Sequence, residues 1–202
     1  MNVLRGVAVT MTLALILAGC ASVPQRSPGE LEGAWRRHEA AILANAQWSL
    51  DGSFGLKIGR RGWSAGLRWR QAGERYHIDI YDPLGRTVAV LAGRPGDVTL
   101  DTDRDKSYRA SSAAKLMTHA LGWSLPVSGL RYWVRGVPVP DEPIAARQLD
   151  GSGRLSRLQQ DGWTVRYQDY DYDTVNARPT RMVMTRGDVR LVVVVNQWGD
   201  GS

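Results

Sequence analysis

Trp48-Ser49-Leu50-Asp51-Gly52-Ser53-Phe54-Gly55-Leu56-Lys57-Ile58 decides the fold class. Trp48, Leu50, Phe54, Leu56 and Ile58 alternate with Ser49, Asp51, Ser53 and Lys57. Successive side chains of a strand point to opposite faces, so this spacing predicts one face on a core and one in water. Gly59-Arg60-Arg61-Gly62 reads as a hairpin turn. Beyond it Trp63, Leu67 and Trp69 alternate with Ser64, Arg68 and Arg70. Ala72-Gly73 turns the chain again, and Tyr76, Ile78 and Ile80 alternate with His77 and Asp79.

The same grammar continues. A turn at Asp82-Pro83-Leu84-Gly85 leads into Thr87 to Leu91, and Arg94-Pro95-Gly96-Asp97 leads into Val98 to Asp101. After an interruption, Leu155 to Gln159, the turn Asp161-Gly162, and Trp163, Val165 and Tyr167 resume it. Arg181 to Thr185, Arg186-Gly187-Asp188 and Val189 to Gln197 complete it. Val192 to Val195 is apolar on both faces, which suits a central strand. Short strands joined by tight turns predict a mainly β fold of about nine to eleven antiparallel strands. A sheet that wide curls or closes. With helices over its mouth it either encloses an apolar cavity or is filled by its own side chains. The pattern alone does not choose between these.

Helices are predicted in two places. Ser27-Pro28-Gly29-Glu30 has a capping serine, a proline at the first helical position and an acid three residues after the cap. Leu31, Trp35, His38 and Ile42 then form one stripe of a helix ending near Gln47. At mid-chain, Ser111 or Ser112 caps a face of Ala113, Leu116, Met117, Ala120 and Leu121, ended by Gly122. Pro126 opens a second short helix with Leu130, Trp133 and Val134, stopped by Gly136 and Pro138. Val137 to Ile144 reads as a proline-rich loop.

The N-terminus sets compartment and attachment. Arg5 precedes an apolar run, Gly6 to Leu17, too short to span a bilayer, which needs ~20 residues. Leu17-Ala18-Gly19-Cys20 resembles a bacterial lipobox, in which the cysteine thiol is lipidated. This predicts a signal peptide over 1–19, a lipidated tether over 20–29 and one domain over 30–202. Cys20 is the single cysteine, so no disulfide can form within the chain.

Little in the sequence points to directed chemistry. His38, His77 and His119 lie in separate elements without metal-ligand spacing, and no GxSxG elbow or phosphate loop occurs. Asp169, Asp171 and Asp173 alternate with Tyr170 and Tyr172, as on a strand edge with a solvated face, and the glycine of a calcium loop is missing. The net charge of +6 comes from scattered arginines, which suits solvated faces or weak attraction to anionic headgroups. No nucleic-acid motif is present. Neither an enzyme nor a cofactor is expected. In Asp82-Pro83-Leu84-Gly85, aspartate, proline and glycine each suit a fixed position of a type I turn, which leaves Leu84 pushed out at the apex. A lone exposed leucine is ordinary. On an anchored protein it also suits dipping into a membrane.

Together these residues resemble the LolB family of outer-membrane lipoprotein receptors. The carriers are Trp69, Gln71, Gly73 and Tyr76; Pro83-Leu84-Gly85; Pro95-Gly96; Leu121-Gly122 and Leu125-Pro126; Leu130-Arg131-Tyr132-Trp133-Val134 with Gly136 and Pro138; Leu149-Asp150; Gly162-Trp163; and Trp198. The resemblance implies a half-open antiparallel β-barrel with a helical lid. Its apolar cavity would take the acyl chains of lipoprotein cargo from the soluble periplasmic carrier LolA. It also implies delivery into outer-membrane phospholipid, with Pro83, Leu84 and Gly85 as the insertion and release loop. Ala21, which is not aspartate, fits outer-membrane residence of a monomer anchored through Cys20 in the inner leaflet. Phe54, Trp69, Ile78, Ile80, Leu116, Met117, Leu130, Trp133, Met182 and Met184 are the candidates to line the cavity. Methionine suits a site for varied chains because it adapts its shape. The competing readings are an assembly lipoprotein with a filled core, which binds a protein partner through its sheet, and a periplasmic hydrolase.

Overall fold

The structure, a computed structural model, describes residues 26–103, 106–121, 126–172 and 174–200, with only the backbone of 119–121. The predicted signal peptide and most of the tether, including Cys20, lie outside the described residues. Helix α1 is Pro28–Ala44. Strands β1 (Gln47–Ile58), β2 (Arg61–Ala72), β3 (Arg75–Tyr81), β4 (Thr87–Arg94), β5 (Asp97–Thr102) and β6 (Ser107–Ala110) follow. Then come α2 (Ala113–Leu121), α3 (Val127–Trp133), β7 (Ile144–Leu149), β8 (Leu155–Gln160), β9 (Trp163–Tyr170), β10 (Pro179–Arg186) and β11 (Val189–Asp200).

All eleven strands form one antiparallel sheet in the order β6-β5-β4-β3-β2-β1-β11-β10-β9-β8-β7. Each hairpin pairs with the next, and β1 pairs with β11 to join the two halves. The open edges are β6 and β7, and α2 and α3 lie between them in the chain. The predicted alternation holds: Leu50 faces Trp69 and Trp198, and Leu56 faces Trp63 and Leu191. Apart from Trp63, at the exposed end of β2, these inward positions merge with α2 and α3 into one core. The ladder of β1 and β11 shifts at Asp51/Gly52, where Asn196 is passed over, and a Cβ on Gly52 would collide with the Val194 carbonyl. Glycine is required at that bulge. As expected, β11 is central.

The tight turns fall at two ends of the sheet. Gly59-Arg60, Pro83-Leu84-Gly85, Asp161-Gly162 and Gly187-Asp188 sit at the first end. Gly73-Glu74, Pro95-Gly96 and the turn from Asp150 to Arg154 sit at the second.

Helix α1 packs at the second end. Ser27 and Glu30 form a reciprocal capping box, and Trp35, His38 and Ile42 are buried as the stripe requires. The helix ends at Ala44, three residues before the expected Gln47, because Asn45 is extended and Gln47 already pairs with Ala72. His38 has Nδ1 2.9 Å from the Val175 carbonyl, and burial pushes its pKa down. Arg147 binds Glu32 at 2.8 Å and covers the Trp35 ring. Gly153 lets the β7–β8 turn reach the helix: its φ is +84°, and a Cβ would lie 2.6 Å from the Ala34 Cβ.

Two strands escape the sequence reading. Ser107–Ala110 and Ile144–Leu149 are short edge strands whose alternation is blurred by exposed polar residues and by alanines. The Asp169–Asp173 reading is corrected as well. Strand β9 stops at Tyr170, whose hydroxyl donates to the Leu155 carbonyl. Asp171 belongs to the following turn, where its carboxylate accepts from the Arg178 N–H, and Asp173 lies outside the described residues.

Gly153→Ala should lower stability by roughly 2–3 kcal/mol, from a strained left-handed backbone and a helix pushed off its seat. Gly73→Ala, at a positive φ but facing open space, should cost less. Urea midpoints check the difference; equal losses would mean that α1 is not held down at this turn.

Candidate functional site

The sheet's inward face is apolar except at points such as Gln71 and Gln160, and two short helices close it. Ser112 caps α2, accepting from the Lys115 N–H at 3.3 Å. The helix puts Leu116 and Met117 into the core. Helix α3 adds Leu130 and Trp133. Gly129 lets the Trp133 ring fold back over the helix, since a Cβ there would lie 3.1 Å from the indole. All ten candidate lining residues join this one core. Trp69, Ile78, Leu116, Met117, Leu130, Trp133, Met182 and Met184 are buried, while Phe54 and Ile80 are half-buried against them.

The interior is largely filled by these side chains. An opening of about 300 Å³ lies at the second end, between the helices and β2–β5. Of the ten candidates only Trp69 borders it, together with Gln71, Tyr76, Val98, Ala113, Val127 and Arg131. Tyr76 and Val98 occupy inward register positions that their strands' alternation already marks. Ala113, Val127 and Arg131 carry no such signal, because the way the helix pair sits over the sheet is a tertiary matter.

Polar side chains fix this apolar interior at a few points. The Trp69 indole N–H donates to Gln71 Oε1 at 2.9 Å, and the Gln71 amide donates to the Gly73 carbonyl at 2.7 Å. The Trp133 indole N–H donates to Gln160 Oε1 at 3.0 Å. Gln160 also accepts from the Val139 N–H and donates to the Val139 and Glu142 carbonyls. The Tyr167 hydroxyl donates to the Trp133 carbonyl, and burial pushes its pKa up. Burial likewise pushes Tyr76 up to about 12. The indole nitrogen of Trp163 is buried with no hydrogen-bond partner among the described residues.

Arg135, just past α3, ties the helix pair to the second end. Its guanidinium donates to the carbonyls of Ile42 at 2.8 Å and Asn45 at 2.9 Å, and its Nε donates to Arg131. It also lies over the Trp48 and Tyr132 rings. The accepting carbonyls belong to the C-terminal end of α1, where the helix dipole favours a cation. Burial pulls the pKa of Arg135 down to about 10, so it stays charged at neutral pH.

The third feature is the turn at the first end. Asp82 Oδ1 accepts from the N–H groups of Leu84 and Arg86 at 2.9 and 3.0 Å, and the Gly85 N–H closes onto the Asp82 carbonyl. The Arg86 guanidinium bonds Asp82 Oδ2, holding its carboxyl below the usual range. This fixed turn presents Leu84 at 81% exposure.

Residues 46–198 match the family model described as outer membrane lipoprotein LolB. The chain belongs to the LolB family. The outer-membrane lipoprotein LolB of Nitrosococcus oceani is 37% identical over 185 residues, covering 91% of this chain and 92% of the relative. That of Pseudomonas putida is 38% identical over 193 residues, covering 94% of each. A crystal structure of a LolA superfamily protein from Nitrosomonas europaea matches with a TM-score of 0.51 at 10% identity, covering 83% of this chain and 92% of that one. At that identity the likeness concerns the fold: an open antiparallel barrel shared by the LolB family and the LolA superfamily. A lipoprotein-related role at the outer membrane follows from the LolB family. Among the described residues no helix is long and apolar enough to cross a membrane.

Arg135→Met should free the helix pair, since hydrogen bonds from a charged donor contribute roughly 1.5–3 kcal/mol net. Hydrogen exchange in α2 and α3 should speed up while β1, β2 and β11 keep their protection. Unchanged exchange in the helices would remove Arg135 as the tie.

Proposed function

We propose that the protein takes the acyl chains of lipoproteins from the periplasmic carrier LolA and releases them into the outer membrane without ATP. The observation that supports this reading is a continuous apolar interior, closed by two short helices where the sheet is open. Each buried CH₂ is worth ~0.8 kcal/mol, so moving a multi-chain lipid through water would be prohibitively slow. Passage from mouth to mouth avoids that barrier. A higher affinity in the acceptor then drives transfer, with no nucleotide in the cycle.

The filled interior suits entry of cargo by displacement. An opening of about 300 Å³ is at the lower bound for ligand pockets, so acyl chains must displace α2 and α3 from the sheet. Met117, Met182 and Met184 sit where such chains would lie, and their flexible thioethers adapt to what displaces the helices. Release belongs to the first end, where Leu84 enters the bilayer on its fixed turn. In this reading Cys20 carries the anchor, Ala21 fits residence in the outer membrane, and the protein works as a monomer facing the periplasm. The same filled core also suits an assembly lipoprotein whose sheet holds a protein partner.

The mature chain with Cys20→Ala, mixed with LolA carrying an acylated lipoprotein, should acquire the cargo without ATP and acquire none of an unacylated form. No transfer from an active donor would leave the assembly reading. Leu84→Glu should still accept cargo, and delivery to vesicles should fall about tenfold or more, since burying a leucine is worth roughly 1.5–3 kcal/mol. Undiminished delivery would exclude Leu84 from release.

A further inference from the structure

At the first end, β2 outruns β3. Strand β2 starts at Arg61, but its ladder with β3 begins only at Gly66 opposite Tyr81. Residues 61–65 therefore extend past β3 as a tip paired with β1, which stays paired with β11 up to Ile58 opposite Val189. The Gly59 N–H braces this tip by donating to the Asp188 carbonyl at 3.2 Å.

The tip gathers positive charge. Lys57 lies opposite Arg190 in the ladder, Arg60 lies in the turn, and Arg61 opens β2. All four are exposed, and none is in an ion pair among the described residues. Some arginines elsewhere on the sheet are matched, while Arg75, Arg94, Arg166 and Arg181 are in no ion pair among the described residues either. Arg68 meets Asp51 at 3.1 Å, Arg70 meets Asp79 at 3.2 Å, and Arg109 meets Asp97 at 2.7 Å. Like charges facing each other across a ladder are destabilising, so Lys57 and Arg190 stand against their repulsion, with the Asp188 carboxylate near Gly59 as an acidic group at the tip. Trp63, on the same face of β2 as Arg61 and the opposite face from Lys57 and Arg190, is 44% exposed. Pro83 and Ser64 line one groove of about 410 Å³, which sets the Leu84 turn beside the same tip.

We propose that the β1–β2 tip is a second membrane contact, specific for anionic phospholipid. It rests on the reading that Leu84 releases cargo into a bilayer. Trp63 and Leu84 enter the interface, where amphipathic indoles are favoured. Lys57, Arg60, Arg61 and Arg190 meet headgroup phosphates. A projecting tip with apolar points among cations matches a flat anionic surface better than it matches the cleft of an acidic protein.

The test uses the mature chain with Cys20→Ala, so that no acyl anchor contributes. Co-sedimentation is measured with phosphatidylcholine vesicles, with and without phosphatidylglycerol, at low and high salt. The chain should favour the anionic vesicles, and salt should weaken that preference. R60S/R61S should lose about thirtyfold on anionic vesicles and little on neutral ones, at roughly 1 kcal/mol per basic residue. Trp63→Ser should weaken binding to both. A loss under threefold for R60S/R61S, equal binding to the two vesicles, or no vesicle binding overturns the proposal; the last would leave the cluster to an acidic protein. Displacement of a fluorescent fatty acid from the interior, followed on the same proteins, reports on acyl binding separately. Its failure in the unaltered chain would sink the transfer reading and leave the vesicle result standing.

Discussion

The pairing of β1 with β11 carries the rest of the molecule. Each half of the chain makes hairpins that are apolar on one face, and neither half could cover that face alone. Joined through Phe54 opposite Val193 and Leu56 opposite Leu191, the halves become one sheet wide enough to curl over its own apolar side. Curling places the two short edges, β6 and β7, around the remaining gap. The helical insert is the stretch of chain that runs between those edges, so its position as a cover follows from the topology.

The cover over this apolar interior is held by buried side chains of α2 and α3 and by a small number of directed polar contacts: Arg135 on the α1 carbonyls, and Trp133 on Gln160. Hydrogen bonds of this kind fix one geometry at modest net cost or gain. Arg135 acts between the closing helices and α1, whereas the Trp69–Gln71–Gly73 chain stiffens the sheet at the edge of the opening. The unpartnered Trp163 nitrogen marks where this polar matching stops.

Much of this was legible in the sequence, for physical reasons. Period-two alternation marked the long strands because each has one wet face, and the Asp-Pro-Leu-Gly order predicted the exposed Leu84 because each residue has its own steric or hydrogen-bonding role in the turn. The capping serine and Glu30 fixed the start of α1. Strands β6 and β7 were illegible because edge strands tolerate polar and small residues on both faces. Gln71 and Gln160 sit at inward positions that an alternation rule assigns to apolar residues, and their purpose emerges only beside Trp69 and Trp133. All ten cavity candidates were drawn into one core. That most of them fill the space rather than border an opening depends on how closely α2 and α3 descend, and no local pattern encodes that depth.

The central seam also sets a timetable. Leu56 meets Leu191 about 135 residues later in the chain, so the longest-range contacts of the fold are also its most central. The hairpins from β1 to β6 can assemble as soon as they are available, whereas the seam waits for the last strand. Contacts so distant in sequence must overcome loop-closure entropy before burial rewards them, which slows folding. Until β11 arrives, β1 is an exposed edge twelve residues long with an apolar flank, a template for wrong partners. The most exposed moment in the life of this molecule is therefore its own folding, before the last strand covers the apolar flank of β1.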